Sequence, residues 1–117
     1  MDDILQATLL SDFYGELLTE KQKNIFSMYH LEDLTLSEIG EEQGISRQAV
    51  RDQLKRTDNI LIEYETKLKL VEKFQEHQNA VKKIKSVAEE FEKKYKNDNL
   101  AIEYIEKIKD ITDDILD

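Results

Sequence analysis

Not one of the 117 residues is proline. Proline is the residue that most sharply ends helices, and the chain also lacks any sustained period-two alternation bounded by turn residues, so the pattern predicts helices and no sheet. Helix-start signals then divide the chain. Thr19-Glu20-Lys21-Gln22 is a capping box, in which the Thr19 hydroxyl accepts from the Gln22 amide and the Gln22 side chain reaches back. Thr35-Leu36-Ser37-Glu38 is a second box, with Leu34 and Ile39 in the two staple positions. Gly44 can take the left-handed conformation that stops the short helix between. Ser46 can cap the next helix, with Ile45 and Val50 as its staple.

Apolar spacing fills in the faces. Leu5, Leu9, Phe13 and Leu17 recur every four residues, with Leu10 and Tyr14 beside them, and predict the stripe of an amphipathic first helix, with Gly15 read as a point of close helix crossing. A second helix is expected to bury Ile25, Phe26 and Tyr29 and to end around His30–Asp33. Beyond Ser46, the spacing of Val50, Leu54, Leu61, Tyr64, Leu68 and Val71 predicts one helix running into the seventies. Val81, Ile84, Ala88, Phe91 and Tyr95 continue on a Lys/Glu-rich background up to a break at Lys96-Asn97-Asp98-Asn99. A last amphipathic helix carries Leu100, Tyr104, Ile105, Ile108, Ile111 and Ile115. The expected fold class is all-α. A helical domain over residues 1–60 contains a helix-turn-helix at 35–56, and long C-terminal helices over 61–117 form a packing or dimerisation arm.

The stretch from Leu34 to Val50 has helix-turn-helix spacing. Gly40 stands where the second helix must pass close, Gly44 makes the turn, Ile45 plugs the corner, and Val50 and Leu54 bury the underside of the second helix. Arg47, Gln48, Arg51, Asp52 and Lys55 are thereby left outward, on the first turns that in such motifs meet base edges. Ser46 caps the helix and can also donate to a phosphate beside the free, partly positive amides of the N-terminus. Gln48 suits adenine, and Arg47 or Arg51 suits guanine. Lys55 and Arg56 are placed for backbone phosphates, while Asp52 either accepts from a cytosine amino group or orients a neighbouring Arg.

A net charge of −9 argues against nucleic acid until the charges are located. Residues 1–46 carry −8, residues 47–96 carry +4 and residues 97–117 carry −5. Within 47–56, Arg47, Arg51, Lys55 and Arg56 face only Asp52, a local +3. DNA binding is therefore expected at that one surface, and repulsion of DNA by the acidic remainder makes it modest at physiological salt unless a dimer doubles the contacts. There is no Cys, hence no disulfide, thiol nucleophile or thiolate zinc site. His30 and His77 are far apart, each without a second His at helical spacing, and read as surface or helix-end residues. No phosphate loop, nucleotide-binding glycine pattern or nucleophile elbow is present. We expect no enzyme activity, no catalytic residues, no metal and no cofactor. The acidic start Met1-Asp2-Asp3 is unlike a signal peptide, and no apolar run is long enough for a membrane span, so the expected setting is cytoplasmic with no membrane contact.

The motif from Leu36 to Arg51 resembles the promoter-binding, sigma region 4-like helix-turn-helix of bacterial sigma factors. More closely, Asp12 to Gln22, that motif, Leu54-Lys55-Arg56-Thr57, and Glu63 to Leu68 together resemble the YlxM family, small bacterial helix-turn-helix DNA-binding proteins. The likeness covers roughly residues 4–70, in three blocks in the same order. It implies an all-α protein, sigma-like contact with double-stranded DNA through the helix after Gly44, and a regulatory link to the signal recognition particle pathway. That link comes from gene neighbourhood in the family and from no residue quoted. The other parts of a sigma factor are absent, so promoter opening is not implied.

Two further expectations concern partners. The apolar stripes after Arg56 exceed what the upstream chain can cover, which predicts a homodimer built mainly from helices between residues 57 and 117. The acidic segments at both ends suit a basic protein, so the alternative to a DNA-reading regulator is an adaptor of the signal recognition particle, binding its protein or RNA without reading DNA sequence.

Overall fold

The computed structural model describes residues 4–117; Met1, Asp2 and Asp3, read above for their charge, lie outside the described residues. The described residues form helices α1 (Ile4–Tyr14), α2 (Glu20–His30), α3 (Leu36–Gln43), α4 (Arg47–Leu68), α5 (Leu70–Lys94) and α6 (Asn99–Leu116), with a 3₁₀ turn at Gly15–Leu17 and no strand among them. The all-α expectation holds. Two compact units result, Met1–Val71 and Glu72–Asp117.

Both predicted capping boxes are formed. Thr19 and Gln22 exchange side-chain and backbone hydrogen bonds at 3.0 and 3.2 Å, and Thr35 and Glu38 do the same at 3.1 Å each. These bonds satisfy amides that a helix start otherwise leaves without partners. The Thr35 amide, and then the Thr35 hydroxyl network, hold the Glu38 carboxyl below its ordinary range.

The first unit has two adjoining cores. Ala7, Leu10, Tyr14, Phe26, Leu61 and Val71 form one, and Ile25, Ile39, Val50 and Leu54 form the other, sealed by Met28, Leu34, Leu36 and Ile45. The second of these cores joins the helix-turn-helix to Ile25 and Met28 of α2, and the staple pairs Leu34–Ile39 and Ile45–Val50 both contribute to it.

Three expectations about faces need correction. In α1 the buried residues are Ala7, Leu10 and Tyr14, while Leu5 and Leu17 are more than half exposed and Phe13 is exposed as well. A repeat of four advances by about 400° and so drifts about 40° per step, whereas alternating steps of three and four keep to one side. Leu17 in addition lies beyond the end of the helix, in the 3₁₀ turn. Gly15 marks that end and not a close crossing, because a Cβ there would sit in ordinary contact, 3.5 Å from Ser11 Oγ. Tyr29 is exposed, and His30 takes the inner place, its ring 4.5 Å from that of Phe26.

The predicted continuous helix after Ser46 is also broken. Lys69 has φ of 55° and ends α4 in the left-handed conformation, and α5 starts at Leu70. Leu68, expected in the stripe, is left exposed. The cause is tertiary. The Tyr14 hydroxyl donates to Glu65 Oε1 at 2.6 Å, the Leu70 amide donates to the Tyr14 hydroxyl at 3.2 Å, and the Val71 amide donates to the same Glu65 oxygen at 3.0 Å. Two side chains thus supply the acceptors that a new helix start requires, and Tyr64 stacks on Tyr14 at 5.8 Å to hold the ring. Burial, and then the Glu65 carboxylate, push the Tyr14 hydroxyl above its ordinary pKa, so it stays a donor.

In the second unit α5 and α6 are joined through the predicted break, a turn at Tyr95–Asn97, with Asp98 capping α6 by accepting from the Ala101 amide at 3.1 Å. Lys85–Asp113 at 2.6 Å and Lys109–Glu92 at 3.3 Å tie the two helices together.

Candidate nucleic-acid interface

The geometry of the corner between α3 and α4 follows from two glycines. Gly44 has φ of 68°, a conformation that costs an L-residue about 1–2 kcal/mol, and its amide closes α3 on the Gly40 carbonyl. The Ile45 amide donates to the same carbonyl at 3.0 Å. At Gly40 itself a Cβ would meet the Ile45 carbonyl oxygen at 2.8 Å and the Arg47 amide nitrogen at 3.6 Å, so the close approach expected there is real and is made by backbone. Ser46, with φ of −72° and ψ of 158°, then caps α4 by accepting from the Ala49 amide at 3.0 Å. Val50 and Leu54 are buried against Ile25 and Ile39, which fixes the roll of α4 about its axis.

That roll decides what faces outward. Ser46, Arg47, Gln48, Arg51, Asp52, Lys55 and Arg56 are all exposed. With about 100° per residue, Arg47, Arg51, Lys55, Gln48 and Asp52 span an arc of about 140° on α4, running from beside the buried Val50–Leu54 edge at Arg47 to the side opposite it at Asp52. Arg56 lies about 100° beyond Lys55, on the far rim of that arc. Among the described residues, Arg47, Arg51, Lys55 and Arg56 have no carboxylate within ion-pair distance, in contrast to Lys23, Lys67, Lys85 and Lys109. Their charge is therefore available to an external anion. Asp52 accepts from Gln48 Nε2 at 3.0 Å, so its partner in the free protein is the glutamine and not an arginine. The pair presents an amide already oriented along the helix.

A feature missed from sequence borders this arc. Tyr29 and Leu36 line a shallow depression with Arg51, Leu54, Lys55, Asp58, Asn59 and Ile62. Asn59, four residues after Lys55, continues the polar side of α4, a signal present in the helical spacing. Asp58 at the rear of this depression is occupied by His30, whose Nε2 lies 3.2 Å from Asp58 Oδ1 and whose side chain is 9% exposed, so the pair ties α2 to α4. His30 stands at a helix end as expected, but inside the fold. Among the described residues no three His, Cys, Asp or Glu side chains gather as a metal-ligand group, and no helix is long and apolar enough to cross a membrane.

A family model described as "Putative helix-turn-helix protein, YlxM / p13 like" (UPF0122) matches residues 1–108. Proteins called UPF0122 protein from Bacillus thuringiensis (strain Al Hakam), Bacillus cereus (strain Q1) and Bacillus anthracis (strain A0248) are similar to the chain. Each is 50% identical to it over 99 residues, which cover 85% of this chain and 90% of the relative.

Proposed function

The chain belongs to the UPF0122 family of YlxM / p13-like helix-turn-helix proteins, and from this we propose that it is a DNA-binding regulatory protein, without enzyme activity, that docks the first turns of α4 on duplex DNA as a cytoplasmic homodimer. The observation that carries the reading is the row of exposed, unpaired cations on the capped start of α4, held outward by the Gly40–Gly44 corner. Arg47, Gln48 and Arg51 reach base edges, with Asp52 setting the Gln48 amide. Ser46 and the amides of the α4 start hold one phosphate, and Lys55 and Arg56 hold others along the backbone. The sigma region 4-like character of the contact rests on the resemblance of the motif.

Fluorescence anisotropy with labelled duplex DNA across a salt series tests this. Arg51→Ala is expected to weaken binding by about 1–3 kcal/mol and to lower the slope of log K against log salt by about one. An unchanged curve counts against the reading.

A second reading is favoured by the acidic segments 1–46 and 97–117, which carry −8 and −5. In it the same fold is an adaptor of the signal recognition particle pathway that recognises the particle's protein or RNA. Preference for that RNA over promoter-like and random duplex DNA in the same titration selects the adaptor.

A further inference from the structure

We propose that α5 and α6 dock, through one shared apolar face, on the same face of a second copy of this chain, closing a four-helix bundle. The proposal rests on the homodimer reading above and names the surface for it. Among the described residues of Glu72–Asp117, only Ala88 and Ile105 are buried apolar side chains. A helical unit this small, with so thin a core, ordinarily needs a staple or an oligomeric partner, and the chain has no cysteine to supply a staple.

The missing core is on the surface. Ile84, Val87 and Phe91 of α5 and Tyr104, Ile108 and Ile111 of α6 are 39–64% exposed. Helical rotation places the first three on one side of α5 and the last three on one side of α6. A groove of ≈ 500 Å³ lined by Ile84, Val87, Phe91, Ile105 and Ile108 joins the two sides. The Lys85–Asp113 and Lys109–Glu92 ion pairs occupy the seam between the helices, and Lys82, Glu89, Glu106 and Asp110 fall on the opposite, polar face.

Area and charge both specify a second copy. Half-exposed side chains of this size present roughly 100 Å² each, so the six, with Tyr95, Leu100 and Ile115 beside them, offer close to the ~800 Å² per partner of a stable interface. Away from the seam and the polar face, helical rotation leaves Lys83, Lys94 and Glu90 flanking the apolar side of α5, a net +1, and Glu103, Asp114 and Lys107 flanking that of α6, a net −1. A two-fold axis parallel to the helices lays α5 of one copy over α6 of the other and so sets opposite charges side by side; the alternative axis stacks like on like. The acidity of α6 also disfavours an anionic bilayer as the occupant.

Sedimentation equilibrium of the full chain at tens of micromolar tests the proposal. The wild type is expected at twice 13.8 kDa, Ile108→Glu at 13.8 kDa with helical circular dichroism lowered by no more than the share of α5 and α6, and Lys82→Glu, on the polar face, at twice 13.8 kDa. Mixed oxidation of Phe91→Cys with Ile108→Cys is expected to link the two variants to each other, and linkage of either variant to itself overturns the α5-over-α6 pairing. A dimer that survives Ile108→Glu overturns this surface and leaves the homodimer reading intact. A monomeric wild type overturns both, leaving DNA binding to be judged by Arg51→Ala alone, and cosedimentation of that monomer with neutral lipid vesicles would assign the face to a bilayer.

Discussion

Gly40 sits where a single methyl group matters. Its added Cβ would meet a carbonyl oxygen at 2.8 Å, and because that oxygen belongs to the backbone of Ile45, relief requires α4 to move. Gly40→Ala is therefore expected to destabilise the protein by about 1–3 kcal/mol, read as a lower urea midpoint. Glu38 and Gln22 occupy the same position of two capping boxes, yet only Glu38 titrates. Its carboxyl is depressed in the folded protein, chiefly by the Thr35 amide, so the cap contributes fully above the ordinary value of 4.5 and is lost as pH falls through the lower folded value. Glu38→Gln keeps the reciprocal bonds and removes the charge. Its urea midpoint is expected to fall less than that of the wild type between neutral pH and pH 3. Both residues were legible in the sequence, because a capping box and a tight corner are set by neighbours three or four positions away.

At the scale of elements, legibility follows the range of the interaction. The starts of α2, α3 and α4 and the turn before α6 are local and were readable from Thr19, Thr35, Ser46 and Asp98 with their surroundings. The break between α4 and α5 was not, since Lys69 and its neighbours include no Gly, Pro or Asn to announce it. It is produced by Tyr14, more than fifty residues upstream, together with Glu65. Removing one hydroxyl tests this. Tyr14→Phe deprives the Leu70 amide of its acceptor and Glu65 of a charge-assisted donor, and it is expected to cost about 1–3 kcal/mol in a urea melt. The buried phase of α1 was read only in part for a related reason: Leu5, Leu9, Phe13 and Leu17 are the more apolar set, but contact with Phe26, Leu61 and Val71 selects Leu10 and Tyr14, which stood beside that stripe, together with Ala7. In the candidate interface, the outward residues of α4 followed from Val50 and Leu54, whereas Tyr29 joined them only through packing of α2 beside α4.

For the whole molecule, the net charge of −9 makes electrostatics a filter. A surface limited to Arg47, Arg51, Lys55 and Arg56 releases few counterions, so one copy gains little from phosphates and much depends on how many copies engage one duplex. On our reading the dimer doubles that number. Ile108→Glu is then expected to roughly halve the slope of log K against log salt on a duplex carrying two half-sites, with Arg51 still contributing to what remains.

The clasp of Tyr14 and Glu65 on the first amides of α5 also bears on exchange with solvent. The opening amides of a helix ordinarily trade their protons with water early, because nothing in the helix accepts from them. Here the Leu70 and Val71 amides are bonded to side chains anchored in the core of the first unit. In deuterated water they should keep their protons as long as that core stays closed, so two slow amides at the start of a helix would report, residue by residue, on the unfolding of the first unit, whose clasp reaches them from Tyr14, more than fifty residues up the chain.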